Sequence, residues 1–276
     1  MYNIEFEYTN ALQAALEAGR DILDIYENPG QDFGIERKAD NSPLTLADKA
    51  AHRRIMQYLE PTGIPVLSEE GKHLPYEERQ QWKELWIVDP LDGTKEFIKK
   101  NGEFTVNIAL AHEGKPLLGV VYVPVKGDLY FTFPSTTGEG LCARKVNVPC
   151  MRPFPTPEEI IATAQPLPLL QQERDEFVIV ASRSHMSPET EEYVQLMRGR
   201  HERVKLISSG SSIKICLVAE GAADAYPRYA PTMEWDTAAG DAIARAAGCT
   251  VVDADTRLPL QYNKEDLHNP WFLVER

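Results

Sequence analysis

The chain has 276 residues, 43% of them hydrophobic and 26% charged, which is enough for one large domain or two moderate ones. Its 29 basic and 42 acidic residues give a net charge of −13, a surface that repels phosphate backbones and argues against nucleic-acid binding. Cys142, Cys150, Cys216 and Cys249 form no Cys-x-x-Cys pair, which speaks against a zinc knuckle or a disulfide framework; the start lacks signal-peptide character, and no apolar run approaches the roughly 20 residues of a membrane span. A soluble protein in a reducing cytoplasm is expected.

Apolar residues Leu12, Leu16, Ile22, Leu23 and Tyr26 recur at helical spacing and predict a helix from about Tyr8 to Tyr26, capped by Thr9 or Asn10. A second helix is expected from about Leu46 to Leu59. Strand-like runs follow at Ile64–Leu67, Leu85–Val88, Phe104–Ala111, Leu117–Val123 and Leu129–Phe133. The turn Glu113-Gly114-Lys115-Pro116 joins two of them as an antiparallel hairpin. From Cys142 to Glu176 prolines crowd the chain, and the segment reads as a connection between two halves. Beyond it strands and helices alternate: strand Phe177–Ala181, helix Pro188–Arg198, strand Val204–Ile207 and helix Ser212–Glu220. A strand near Ala223–Tyr226, a helix Thr237–Ala247 ending at Gly248 and a strand Cys249–Val252 complete the series. That is α/β character.

The stretch Leu85-Trp86-Ile87-Val88-Asp89-Pro90-Leu91-Asp92-Gly93-Thr94 runs an apolar strand into two aspartates three residues apart. Carboxylates held at a strand end by a rigid turn suit hard cations such as magnesium. Gly93 allows close backbone approach, and a helix starting at Thr94 would aim its N-terminus at a phosphate. A plain polar turn would use the same residues. Other carboxylates have structural alternatives too. Glu69 ends a strand and could be a solvated acidic turn, Asp236 could be an N-cap, and Asp48 could close a capping box after Thr45.

Together, Glu69-Glu70, Asp89–Thr94 and Trp235-Asp236-Thr237-Ala238-Ala239-Gly240 resemble the inositol monophosphatase superfamily of magnesium-dependent, lithium-sensitive phosphatases. Lys38–Thr45, Lys95–Ile98, Asn101–Ala109, Ser182–His185 and Gly210–Lys214 are similar to the branch of bacterial 3'(2'),5'-bisphosphate nucleotidases that serve sulfur metabolism in the cysteine pathway. The resemblance implies an α/β/α/β/α layered sandwich. Residues 1–150 would supply the N-terminal helices and antiparallel sheet with most metal ligands, and 151–276 an α/β half that completes the site. It further implies that Glu69, Asp89, the Leu91 carbonyl, Asp92 and Asp236 bind two or three magnesium ions. Thr94 and Asp48 match the pair that orients the attacking water, and Glu69 belongs with them among the catalytic residues.

The implied activity is hydrolysis of the 3'-phosphate of adenosine 3',5'-bisphosphate by a metal-activated water. No covalent intermediate is expected, because aspartyl-phosphate enzymes use Asp-x-Asp-x-Thr, whereas Asp89 and Asp92 stand three apart. The reacting phosphate would meet Asp92, Gly93, Thr94, Lys95 and Asp236. The second phosphate needs cations of its own, and the candidates are Arg183, His185, Ser211, Lys214 and Arg228. Solvated or ion-paired roles remain open for Lys214 and Arg228, and a capping role for His185. An inositol-phosphate or sugar-phosphate phosphatase is the nearest alternative, and a noncatalytic cation-binding scaffold the more distant one. The expected partner is thus a small nucleotide bisphosphate. The resemblance leaves room for peripheral contact with the cytoplasmic face of the membrane.

Overall fold

A computed structural model describes residues 4–30, 32–38, 42–72, 74–135, 140–169, 175–182 and 186–276. Helix α1 (Ile4–Tyr26) starts before the expected Tyr8, so Thr9 and Asn10 lie inside it and do not cap it. A small ribbon of β1 (Glu36–Arg37) and β2 (Pro43–Leu44) leads into α2 (Leu46–Leu59). Thr45 caps α2, and Asp48 closes the capping box.

Seven strands form the first sheet: β3 (Val66–Ser68), β4 (Glu84–Asp92), β5 (Thr105–His112), β6 (Lys115–Val123), β7 (Asp128–Pro134), β8 (Leu141–Asn147) and β9 (Gln165–Pro166), paired in that order. Among the described residues of this sheet only β3 and β4 run parallel. Short helices α3 (Tyr76–Arg79) and α4 (Thr94–Ile98) flank β4. The β5–β6 hairpin is as expected. Glu113 and Gly114 both have positive φ, at 47° and 75°, the twist that a two-residue hairpin turn demands.

The expected connection between Cys142 and Glu176 is corrected by the structure, because β8, α5 (Pro157–Thr163) and β9 lie within it. Its prolines sit where a missing N–H costs no ladder bond. Pro157 opens α5, and Pro166 is on the edge strand. The chain passes to the second sheet between Pro166 and Phe177.

The second sheet has the order β11-β10-β12-β14-β13. Its strands are β10 (Phe177–Ser182), β11 (Val204–Ser209), β12 (Ala225–Arg228), β13 (Thr250–Asp253) and β14 (Phe272–Glu275), with helices α6 (Pro188–Arg198), α7 (Ile213–Ala219) and α8 (Glu234–Ala246). β14 was not expected, since a four-residue apolar run shows no period. β12 ends two residues later than expected, and so carries Arg228. α8 begins at Glu234, which moves Asp236 from the cap into the first turn.

Side-chain alternation stacks these elements into five layers. In β4, Trp86 and Val88 join the core under α1 and α2, while Leu85 and Ile87 face the core shared with α7 and α8. In β10, Val178 and Val180 point to that same shared core, and Ile179 packs on Tyr193, Val194 and Met197 of α6. The order is α1/α2, first sheet, α7/α8, second sheet, α6: the expected α/β/α/β/α sandwich. Helix α8 presses closely on β6. A Cβ at Gly119 would lie 2.3 Å from the Ala239 carbonyl oxygen and 2.9 Å from Ala242 Cβ. Among the described residues no helix is long and apolar enough to cross a membrane.

Candidate active site

Asp89 and Asp92 sit at the carboxyl end of β4, where pairing with β5 shifts between Asp89↔Asn107 and Asp92↔Thr105. Gly93 follows with φ 96°. A side chain there would be both strained and crowded, 3.1 Å from the Glu103 carbonyl oxygen. The left-handed turn delivers the chain into α4, so the expected helix start at Thr94 is observed. From the other half of the fold, the first turn of α8 brings Asp236. One oxygen each of Asp89, Asp92 and Asp236 lie within 4.8 Å of one another.

Burial and this crowding raise the proton affinity of Asp89 and Asp236. Asp89 is held well above the usual range by burial, then by the charges of Glu69, Asp92 and Asp236. Asp236 is pushed up to about 8, first by burial and next by Asp92, against the hydrogen bond from the Met233 N–H (2.8 Å). Glu69 is raised by burial despite the Lys38 ammonium at 2.6 Å. Such a site favours a cation, and its all-oxygen donors suit magnesium, manganese or calcium and not softer metals.

Asp48 and Thr94 meet as expected. The Thr94 hydroxyl lies 3.2 Å from Asp48 Oδ1 and 3.4 Å from the Leu91 carbonyl oxygen, and can donate to either. Asp48 Oδ2 accepts from the Thr45 N–H and hydroxyl at 2.7 and 2.5 Å. One oxygen of Asp48 thus serves the helix cap, and the other lies within hydrogen-bond reach of Thr94. Burial lifts its carboxyl to about 6 in spite of the Thr45 bonds.

A cavity of about 160 Å³ adjoins the carboxylates, with Gly93, Lys95, Ser211, Lys214 and Arg228 in its wall. A wider one of about 440 Å³ shares Asp92, Gly93, Lys95, Arg228 and Asp236 with it and reaches Glu69 and Thr94. Lys214 is buried, and desolvation lowers its ammonium to about 8 against the pull of Asp92. Its Nζ donates to the Ser211 carbonyl at 2.5 Å and lies 5.5 Å from the Tyr226 ring centre, so the solvated alternative for Lys214 is excluded. Arg228 donates to the Pro231 carbonyl at 3.1 Å, while its buried Nε and the Ser211 hydroxyl have no hydrogen-bond partner among the described residues. Lys95 is exposed at the rim. Arg183 and His185 lie outside the described residues.

The contacts of three residues were not anticipated. Lys38 bridges Glu69 and Glu70. Ser212 and Asn107 both reach Asp92. All three residues stand in motifs that carried the resemblance, but polar character alone assigns them no partner.

The inositol monophosphatase family model matches residues 5–272. The 3'(2'),5'-bisphosphate nucleotidase CysQ of Escherichia coli O157:H7 is 45% identical over 265 residues, covering 95% of this chain and 96% of the relative. The crystal structure of CysQ from Bacteroides thetaiotaomicron, a bacterial member of that family, is 57% identical with a TM-score of 0.87, over 98% of this chain and 96% of its own. An inositol monophosphatase from Anabaena, 22% identical with a TM-score of 0.68 over 99% of this chain and 92% of its own, shares the fold.

Proposed function

The chain belongs to the inositol monophosphatase family, and from that premise we propose that it is a magnesium-dependent 3'(2'),5'-bisphosphate nucleotidase. It hydrolyses the 3'-phosphate of adenosine 3',5'-bisphosphate to AMP and phosphate. One observation supports this reading above others: Asp92 and Asp236, two of the three clustered carboxylates, line one cavity together with Lys214 and Arg228. A substrate with two phosphates can use both ends.

In this mechanism Glu69, Asp89, Asp92, Asp236 and the Leu91 carbonyl hold two magnesium ions. Bound there, the metal supplies positive charge to the phosphate and acidifies a water. Thr94 orients that water and directs its own hydroxyl proton to Asp48 Oδ1. Asp48 can accept it because Thr45 fixes the carboxylate by its other oxygen. Glu69, beside Asp89, completes the catalytic group. Backbone N–H groups at Gly93 and Thr94 donate to the reacting phosphate, with Lys95 at the rim. Arg228, Lys214 and Ser211 take the 5'-phosphate, joined by Arg183 and His185 of the neighbouring motif. Work in the cytoplasm is part of the same reading, where four free thiols stay reduced.

Phosphate release from adenosine 3',5'-bisphosphate and inositol 1-phosphate, with and without magnesium, tests the reading. The bisphosphate should be much the better substrate. A charge-assisted hydrogen bond is worth about 1.5–3 kcal/mol, so Arg228→Ala should lower kcat/KM for it by roughly 10- to 150-fold. Most of that loss should appear in KM, because the 5'-phosphate keeps its charge in the transition state. Inositol 1-phosphate should be far less affected. A preference for inositol 1-phosphate would overturn the nucleotide assignment, and no magnesium-dependent release from either would overturn the phosphatase.

A further inference from the structure

Ser212 stands at the start of α7, on the opposite wall of the site from β4. Its backbone N–H lies 2.6 Å from Asp92 Oδ2, and its hydroxyl lies 2.9 Å from the same oxygen. The hydroxyl also sits 2.7 Å from the Asp236 carbonyl and accepts from Asn107 Nδ2 at 2.9 Å. Asn107 Nδ2 in turn approaches Asp92 Oδ2 at 3.4 Å. One carboxylate oxygen thus collects donors from two residues on different elements. Among the described residues no hydrogen bond goes to Oδ1.

A hydroxyl has one proton and two lone pairs. With Asn107 filling one lone pair, the Ser212 proton goes either to Asp92 or to the backbone of Asp236, and both choices bind the group to a cation-site residue. The remaining polar atom of the cluster points the same way. Asn107 Oδ1 is buried with no hydrogen-bond partner among the described residues, an arrangement that costs stability and that a residue kept for packing alone does not need. The amide is oriented by its nitrogen, and that nitrogen serves Ser212 and Asp92.

We propose that Ser212 is a positioning residue for metal binding, locking Asp92 by Oδ2 so that Oδ1 alone is presented to the cation, with Asn107 setting the direction of the Ser212 hydroxyl. This rests on the reading of Asp92 as a magnesium ligand. Partners of metal-binding carboxylates commonly change metal affinity by about 10- to 100-fold when removed. The arrangement also ties α7 and β4, which belong to different halves of the chain, to one ligand.

The test is manganese titration of the metal-free protein, with free Mn2+ read by electron paramagnetic resonance. Ser212→Ala should weaken one Mn2+ site by about 10- to 100-fold, and excess magnesium should restore its kcat. Ser212→Thr, which returns the hydroxyl, should regain most of the affinity. Asn107→Ala should shift the same site in the same direction by less, and it serves as the measurement if Ser212→Ala does not fold. Unchanged Mn2+ affinity in these variants, or a kcat loss that magnesium does not restore, overturns the proposal. Asp92→Asn separates the two levels. If it keeps the full set of Mn2+ sites, the ligand reading itself has failed and takes the proposal with it. If it loses a site while Ser212→Ala does not, only the positioning role is lost.

Discussion

Helix α8 carries carboxylates of two kinds within eight residues of chain. Glu234 is fully buried, yet Lys264 Nζ lies 2.6 Å away and the backbone N–H groups of Asn263 and Lys264 donate at 2.6 and 3.0 Å. Asp241 is equally buried. It pairs with Arg245 and accepts from the Tyr262 hydroxyl at 2.8 Å. Asp236 lies between them and faces Asp89 and Asp92, and among the described residues none of these three forms an ion pair with a lysine or arginine. Burial leaves Asp241 at about 6 and Asp236 at about 8. Glu234 and Asp241, whose cations come from the chain itself, hold the fold together. At Asp89, Asp92 and Asp236, where it supplies none, the uncompensated charge favours a cation from solution.

The largest way to break this contrast is Asp89→Asn. It should abolish turnover while raising the melting temperature of the metal-free protein, because it removes one of the mutually repelling charges. An active variant at ordinary magnesium would mean that Asp89 is not a ligand. Asp48 is an intermediate case, buried but satisfied by neutral donors. Thr94→Ala should lower kcat by about 10²- to 10⁴-fold with little change in magnesium affinity. Asp48→Asn should act on the same step, so the double variant should lose less than the product of the single losses; multiplicative losses would return Asp48 to its helix cap alone.

The paired side should answer to a different measurement. Arg245→Met leaves Asp241 buried without its cation and should cost about 3 kcal/mol in denaturant unfolding, at the lower end because Arg245 reaches solvent. Mn2+ affinity should stay as it was. A loss of metal binding in this variant would erase the distinction between the two kinds of carboxylate. The smallest expected effect is on pH dependence. An aspartate ordinarily titrates near 3.8, and burial with the nearby Asp92 charge pushes folded Asp236 up to about 8. Across that window the folded state keeps a proton that the unfolded chain releases, so without metal stability should fall as pH rises. Saturating magnesium should flatten the slope, and melting curves in chelator and in magnesium from about pH 5 to about pH 8 would show it.

Much of this architecture could be read from the chain. The apolar run into Asp89-Pro90-Leu91-Asp92-Gly93 marks its own strand end, and a glycine before Thr94 marks the helix that follows. α2 announces its cap through Thr45 and Asp48. Other features depend on partners distant in sequence. β14 is four residues long and becomes a strand only because β12 and β13 lie on either side of it. β8 and β9 were hidden among prolines whose tolerance depends on edge position. Ser212 is one serine among several until folding places it against Asp92, 120 residues earlier. Lys214 illustrates the same limit, since its position in a helix turn is legible but its burial is not.

The bare backbone at Gly119 deserves to be seen as a gauge. It touches no ligand and lies in the middle of β6, yet α8 rests on it by the carbonyl of Ala239, one turn along from Asp236. Any side chain there would stand between helix and sheet like a shim. The aspartate of one half would then retreat from the two aspartates of the other. The approach of α8 to β6 thus leaves room at this position for nothing larger than a hydrogen atom, though no inspection of the site itself would single it out.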